Sequence, residues 1–377
     1  MNENNAYLAF SSNPYQFKVF SQPVKHFELK RGDDVRGFKQ FQQEVLNTQN
    51  HLYWVGFIAY ECAEIFEATF SDSRQKLIDF PSLYFTAYQQ MHIQQISPSL
   101  YQNKLNLHFE NLVPDQEYKN IVKQAIEYIK QGLVYEINLS RPYLIDLQNM
   151  QPFDLFWRMY SMNAASHAAY LPIKDNYSLC SLSPECFLLK QGNDISTYPI
   201  KGTRKRSLDK LLDQSHINDL LNSPKEKAEH LMVVDLERND LGRIAEAGSV
   251  KVESFYQIED LPFLHHAVST ISARLKPKLN IFDVLHATFP SGSITGAPKI
   301  SSMNIIKKLE KYPRSAYTGC LGYIDPNGDA HFSILIRSLL INKTQGILNV
   351  GGGIVFDSDL DFELEETYLK AKSFLEI

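Results

Sequence analysis

Between Tyr323 and Val355 the chain reads "YIDPNGDAHFSILIRSLLINKTQGILNVGGGIV", three apolar runs separated by an Asn-Gly and a Gln-Gly turn. Strands joined by turns this short fold back antiparallel, because a parallel return needs a crossover of a dozen or more residues. A second such unit lies upstream, where "ECFLLK", "QGND" and "ISTYPI" read as strand, turn, strand, with Gly192 and Asn193 tolerating the positive φ of a tight hairpin. Helices are set between these hairpins. Tyr118, Ile121, Val122, Ala125, Ile126 and Ile129 form one apolar face ending near Gly132. Ser223, Pro224 and Glu226 spell a helix start: Ser as cap, Pro at the first position, and Glu returning a bond to the cap. The chain closes with the helical pattern "DFELEETYLKAKSFLEI". Sequential antiparallel strands interleaved with helices predict an α+β fold, not a doubly wound parallel sheet.

A chain of 377 residues is long enough for two domains or one large architecture. "VRGFKQFQQEVLN" has helical spacing and "LYWVGFIAYE" is a buried-strand candidate, and a polar segment from Gln94 to Asn103 divides residues 1–100 from residues 101–377. Lys and Arg number 38 against 43 Asp and Glu, a net charge of -5, and the bases are dispersed, which argues against nucleic acid as a partner. Cys62, Cys180, Cys186 and Cys320 have neither metal-site spacing nor the density of a disulfide scaffold. No run is long enough to cross a membrane and Met1 to Ala6 carries no export signal, so a cytoplasmic protein is expected.

The polar residues that interrupt this pattern are the candidates for chemistry. On the final helix Glu363, Glu366 and Lys370 fall at i, i+3 and i+7 and share a face. Taken alone this is how an ordinary solvated helix looks. Glu229, among the apolar residues of "AEHLMVV", supplies a third carboxylate, and three hard oxygen donors with room for water suit Mg²⁺. Lys201 in "YPIKGTRKR" leaves a strand just before Gly202 and Thr203, and an enclosed lysine can lose its proton and act as a nucleophile. Glu185 begins the partner strand of that hairpin, where burial would keep a carboxylic acid protonated for delivery to a leaving hydroxyl.

Three further features have two readings each. "FPSGSITGAPK" is a Gly-rich turn entering a helix at Pro298, either an anion site of free N–H groups or an ordinary capping loop, and its spacing is wrong for a nucleotide-binding loop. Gly351, Gly352 and Gly353 mark backbone that approaches something closely or adopts positive φ. Arg337, a cation in the apolar strand "ILIRSLL", needs an anion, from a substrate or from a structural acid.

Together these blocks resemble the chorismate-utilising enzymes. The resemblance runs from about Tyr118 to Lys372, through "GLVYEINLSRP", "SLSPECF", "PIKGT", "AEHLMVVDLERNDLGRI", "HHAVSTI", "FPSGSITGAPK", "SAYTGCLGY", "IRS", "GGGIVFDSD" and "ELEETYLKA", in the family's order. It implies face-to-face antiparallel β-sheets, a β-sandwich core, flanked by helices. "GFIAYE" resembles the family's N-terminal strand, implying that residues 1–100 are a trimmed region interlocked with the catalytic remainder. It further implies Mg²⁺ held by Glu229, Glu363 and Glu366 against the ring carboxylate of chorismate, and contacts from Tyr317 and Arg337 to the enolpyruvyl carboxylate. Gly202, Thr203, Thr295 and the Gly351, Gly352, Gly353 run match substrate-lining positions, His266 and Lys370 match polar positions around the site, and Glu185 matches the acid assisting loss of the 4-hydroxyl.

Within the family, "PIKGT" with Lys201 resembles the aminodeoxychorismate synthase component I type, whereas anthranilate synthases usually have Ala there. Lys201 attacking C2 as the 4-hydroxyl leaves, followed by ammonia attacking C4, would deliver nitrogen to C4. Water-using members carry a Lys base where this chain has Glu136, and many amine-using members have Gln. No "LLES" segment of the tryptophan-sensing kind is present, so feedback by tryptophan is not expected. The expected function is amination of chorismate to 4-amino-4-deoxychorismate on the para-aminobenzoate and folate branch, with ammonia from a separate glutamine amidotransferase subunit. The alternatives are an anthranilate synthase large component and a non-catalytic subunit that binds the amidotransferase.

Overall fold

The computed structural model describes residues 1–375 apart from 12, 14, 34, 49, 68, 76, 97–106, 262–263 and 343–344, with side chains placed through residue 372. The expected division near residue 100 lies outside the described residues. Among those described, eighteen strands join through antiparallel ladders.

The ladders form two facing sheets. One runs His108–Asn111, Glu136–Asp146, Gln345–Ile354, Ser338–Asn342, Tyr177–Ser183, His167–Pro172. The other runs Gln16–Leu29, Leu83–Gln95, Tyr53–Ile58, Cys320–Ile324, Ala330–Ile334, Cys186–Gln191, Asp194–Thr197, Leu264–Arg274. The short strand Ala6–Leu8 pairs with both Gln16–Leu29 and His167–Pro172 and so links them. Period-two alternation explains why they face each other: Val55, Phe57, Leu321, Leu171, Leu179 and Leu340 meet in one cluster between the sheets. Their neighbours point outward under helices. Trp54, Ile58 and Phe85 are covered by Phe41 and Phe282, and Leu182, Leu339 and Ile341 by Phe156, Trp157 and Tyr160. Both faces being buried, these strands read as continuous apolar runs.

The strand Tyr53–Ile58 pairs with Cys320–Ile324, so the N-terminal residues complete a sheet whose other strands come from the far end of the chain. The helix Asp115–Lys130 and the final helix Leu360–Leu375 pack over Glu136–Asp146 and Gln345–Ile354. Arg141 fixes that arrangement: fully buried, it donates to Asp115 at 2.7 Å and to Thr367 at 2.9 Å and lies against the ring of Tyr368.

Two local expectations are corrected. "ILIRSLL" is not one strand, because the ladder breaks between Ile334 and Ser338 and Arg337 takes the left-handed conformation, φ 49°. The helix Pro224–Gly242 begins as expected, with the Ser223 hydroxyl accepting from the Glu226 N–H at 3.3 Å. Glu226 returns no bond to the cap, however, for Arg204 takes its carboxylate through its two terminal guanidinium nitrogens at 3.0 and 3.1 Å, and charge-assisted bidentate bonds outcompete one backbone N–H.

Candidate active site

A cavity of about 690 Å³ opens where the ends of Glu136–Asp146, Ile200–Lys205 and Gln345–Ile354 meet the helices Pro224–Gly242 and Leu360–Leu375, a size suited to a small molecule. Lys201, Glu185, Glu229, Glu363 and Glu366 all line it. So do Gly202, Thr203, His266, Tyr317, Arg337 and Lys370, together with Gly351, Gly352 and Gly353. Thr295 does not: it is fully buried, and its hydroxyl donates to the carbonyls of Ser291 at 3.0 Å and Gly292 at 3.3 Å. Its loop reaches the cavity through Ser293 and Ile294 instead.

The anion-site reading of that loop is not what the structure shows. Pro298 caps the helix Lys299–Leu309 rather than opening it, the helix start does not line the cavity, and Lys299 is ion-paired with Asp240 and donates to the Thr288 carbonyl at 2.7 Å.

Lys201 owes its position to a bulge. The ladder between Ile200–Lys205 and Leu264–Arg274 shifts register between Ile200 and Thr203, and Gly202 there has φ 85°. Lys201 Nζ pairs with the Glu136 carboxylate. Burial pushes the amine's pKa down, but Glu136 outweighs it, with Glu229 and Glu185 adding to the same effect, so the net shift is upward. Lys201 therefore rests as an ammonium ion. Glu185 is the opposite case: burial raises its carboxyl to about 7, and its Oε1 has no hydrogen-bond partner.

The glycine run serves close approach, not positive φ. A Cβ on Gly353 would lie 2.5 Å from Glu136 Oε1 and 3.3 Å from Lys201 Nζ, and one on Gly352 would lie 3.0 Å from Glu366 Oε1 and 3.4 Å from Glu363 Oε2. The run is the floor on which the lysine pair and the helix carboxylates both rest.

On the final helix Lys370 pairs with Glu366 at 2.5 Å and donates to the Gly351 carbonyl at 2.7 Å, while Glu363 accepts from the Ser358 hydroxyl at 2.7 Å. Burial, reinforced by Glu366, raises Glu363, and burial raises Glu229. The like charges of Glu363 and Glu366 on one helix face favour a cation beside them. Glu229, Glu363 and Glu366 line the same cavity and are hard oxygen donors of the kind Mg²⁺ takes, although their oxygens do not converge within 4.8 Å of one another.

The remaining wall suits an anion. Arg337 has no acidic partner among the described residues, and burial alone lowers its pKa. Beside it His266 is held neutral, its pKa lowered to about 4 by burial and then by Arg337. His266 Nδ1 lies 2.9 Å from the Thr203 hydroxyl, and its buried Nε2 has no partner.

Sequence reasoning missed Asn138, whose buried Oδ1 has no partner and which lines the cavity on the same strand face as Glu136. The signal was present, since polar residues at i and i+2 within an apolar strand share a face. It also missed the support beneath. Fully buried Arg314 donates to Glu310 at 2.8 Å and to the carbonyls of Asn138 at 2.7 Å and Ile294 at 3.1 Å, and Glu310 accepts from the Ser140 N–H at 2.8 Å.

Residues 4–376 match the family model described as chorismate binding enzyme. The chain is 39% identical over 281 residues to anthranilate synthase component 1 of Saccharolobus solfataricus, covering 74% of this chain and 64% of that one. It is 41% identical over 260 residues to aminodeoxychorismate synthase component 1 of Escherichia coli, covering 69% and 57%. The chain thus spans between about half and two thirds of the length of these curated relatives. Among solved structures, anthranilate synthase component I from Streptococcus pneumoniae superposes with a TM-score of 0.84 at 25% identity, over 97% of this chain and 93% of that one.

Proposed function

We propose a reaction on one premise: this chain belongs to the chorismate binding enzyme family. It is the amination of chorismate at C4 to give 4-amino-4-deoxychorismate, with Lys201 as the covalent nucleophile. The observation that carries this reading is the placement of the Lys201 amine in the cavity wall, paired with Glu136 and within electrostatic reach of Glu185 and Glu229.

The chemistry balances as follows. Lys201 rests as an ammonium ion, so its proton passes to Glu136 before attack. The free amine forms a bond to C2, the diene electrons shift, and the C4–oxygen bond breaks while Glu185 gives its proton to the departing hydroxyl, releasing water. Ammonia then bonds to C4, the electrons return, and the C2–nitrogen bond to Lys201 breaks. Arg337 and His266 orient a carboxylate at the other end of the substrate. Glu229, Glu363 and Glu366 would hold Mg²⁺, which would neutralise the ring carboxylate. A glutamine amidotransferase subunit is the proposed source of ammonia.

A second reading is favoured by one observation: Lys201 at rest is a paired ammonium, which suits positioning as well as attack. In that case ammonia adds at C2 and the product is anthranilate, the activity named for relatives of nearly equal identity. Product analysis on the purified chain with chorismate, Mg²⁺ and an ammonium salt separates the two. We expect 4-amino-4-deoxychorismate, which a lyase converts to para-aminobenzoate; anthranilate would establish the second reading.

A further inference from the structure

Away from the cavity, on the far side of the strand that Glu185 precedes, three soft donors converge where the two sheets meet. His167 begins the strand His167–Pro172 of one sheet; Cys186 and His331 lie on the adjacent strands Cys186–Gln191 and Ala330–Ile334 of the other. His167 Nε2 is 3.2 Å from His331 Nε2, and Cys186 Sγ is 3.3 Å from the same His331 nitrogen. All three ligand atoms lie within 4.8 Å of one another, the one such group of His, Cys, Asp or Glu among the described residues. We propose that His167, Cys186 and His331 form a binding site for a borderline-soft divalent cation of the Zn²⁺ class, with a fourth position left for water.

Four observations support it. First, the spacing fits: zinc–nitrogen bonds of about 2.0–2.1 Å and zinc–sulfur bonds of about 2.3 Å at tetrahedral angles place two nitrogens about 3.3 Å apart and nitrogen and sulfur about 3.6 Å apart. The two contacts at His331 Nε2 are within a few tenths of an ångström of these values, and the third pair, His167 Nε2 and Cys186 Sγ, closes on an ion from within 4.8 Å. Second, the tautomer is set. Ser166 has one hydroxyl proton, which goes to the Pro184 carbonyl at 3.1 Å, so at the 3.1 Å contact between its oxygen and His167 Nδ1 the imidazole must donate. The His167 Nε2 lone pair is left aimed at His331. An imidazole that donates from one nitrogen to an oriented oxygen and presents the other is the arrangement metal-bound histidines use.

Third, the donors come from both sheets and are shielded from solvent, Cys186 being buried and His167 and His331 half-buried. Fourth, an aromatic ring covers the donors: the ring of Phe10 lies 5.3 Å from that of His167 and 4.7 Å from that of His331. Two imidazoles and a thiol in such a place match a borderline-soft ion and not Mg²⁺. The thiol loses its proton on binding, and that proton goes to solvent.

The site does not depend on the proposed reaction, and its test reads the metal directly. The full chain is stripped with a chelator, saturated with Mg²⁺ to occupy the oxygen donors, and titrated with Co²⁺ and, separately, with Zn²⁺ against a chromophoric competitor. One equivalent of Co²⁺ should produce a thiolate-to-cobalt charge-transfer band in the near ultraviolet, and one Zn²⁺ should bind per chain. Cys186→Ser should abolish the band and weaken Zn²⁺ by about 100-fold or more, and Ser166→Ala should weaken it by about tenfold. Glu229→Gln should change neither. The wild-type spectrum requires no variant to fold, so absence of the band at one equivalent overturns the proposal, as does a band that survives in Cys186→Ser.

Discussion

The cavity has two charged walls built on opposite physical terms. On the final helix the Lys370–Glu366 pair is 44% and 48% exposed; on the strand wall the Lys201–Glu136 pair is 17% and 5% exposed. An exposed i,i+4 pair is worth about 0–1 kcal/mol, whereas losing one member of a buried pair costs about 3–5 kcal/mol. The helix wall can therefore exchange partners freely, as the proposed binding of a cation and a substrate there would require. The strand wall cannot, and a lysine held there at such cost is available for one task.

If the strand wall does the chemistry, Lys201→Ala should reduce C4 amination to background while chorismate affinity, followed by calorimetric titration, stays within a few-fold. Glu185→Gln should lower kcat by about 10²–10⁴-fold, the usual contribution of a general acid, again with binding nearly intact. A loss of affinity equal to the loss of rate in either variant would make both residues binding groups and erase the contrast. Glu136→Gln should destabilise the fold by about 3 kcal/mol, seen as a lower thermal midpoint, because it strands a buried ammonium. It should also lower kcat, since the carboxylate that takes up the Lys201 proton before attack is gone.

The helix wall should respond differently. Glu366→Gln should weaken Mg²⁺-dependent chorismate binding on the order of tenfold while leaving the unfolding free energy within about 0.5 kcal/mol, as exposed substitutions do. A separate effect, on stability alone, concerns Glu237, buried behind the strand wall, where its two oxygens accept from Thr197 at 2.6 Å and Ser291 at 3.1 Å. Burial raises its carboxyl to about 8 from an ordinary 4.5, so between those values the folded chain keeps a proton that the unfolded chain has released. Stability falls as pH rises through that window. Glu237→Gln should flatten that fall, and denaturant midpoints measured from pH 5 to 8 would show whether it does.

What the sequence disclosed and what it withheld divide along the same physical line. Local rules were legible: the Asn-Gly hairpin, the Ser223 cap, and a glycine run that needs close approach or positive φ, of which the structure uses the first. Pairings across long separations were not. Nothing near Tyr53–Ile58 names Cys320–Ile324 as its neighbour, and Arg314 looks like any surface arginine until Glu310 and the Asn138 carbonyl are found around it. The His167, Cys186 and His331 cluster escaped for the same reason, because its members stand 19 and 145 residues apart with no motif spacing. Glu226 shows the converse failure, where a correct local rule was overridden by Arg204 arriving from another strand.

The central claim is that the amine of Lys201 becomes bonded to the substrate ring. Mass spectrometry of the intact chain, incubated with chorismate and Mg²⁺ and without ammonia, tests it most directly. The account predicts an adduct of chorismate less one water, mapped by digestion to the peptide that carries Lys201 and lost on addition of an ammonium salt. An unmodified chain that nonetheless turns over as soon as ammonium is added, at the same rate in wild type and Lys201→Ala, would contradict it.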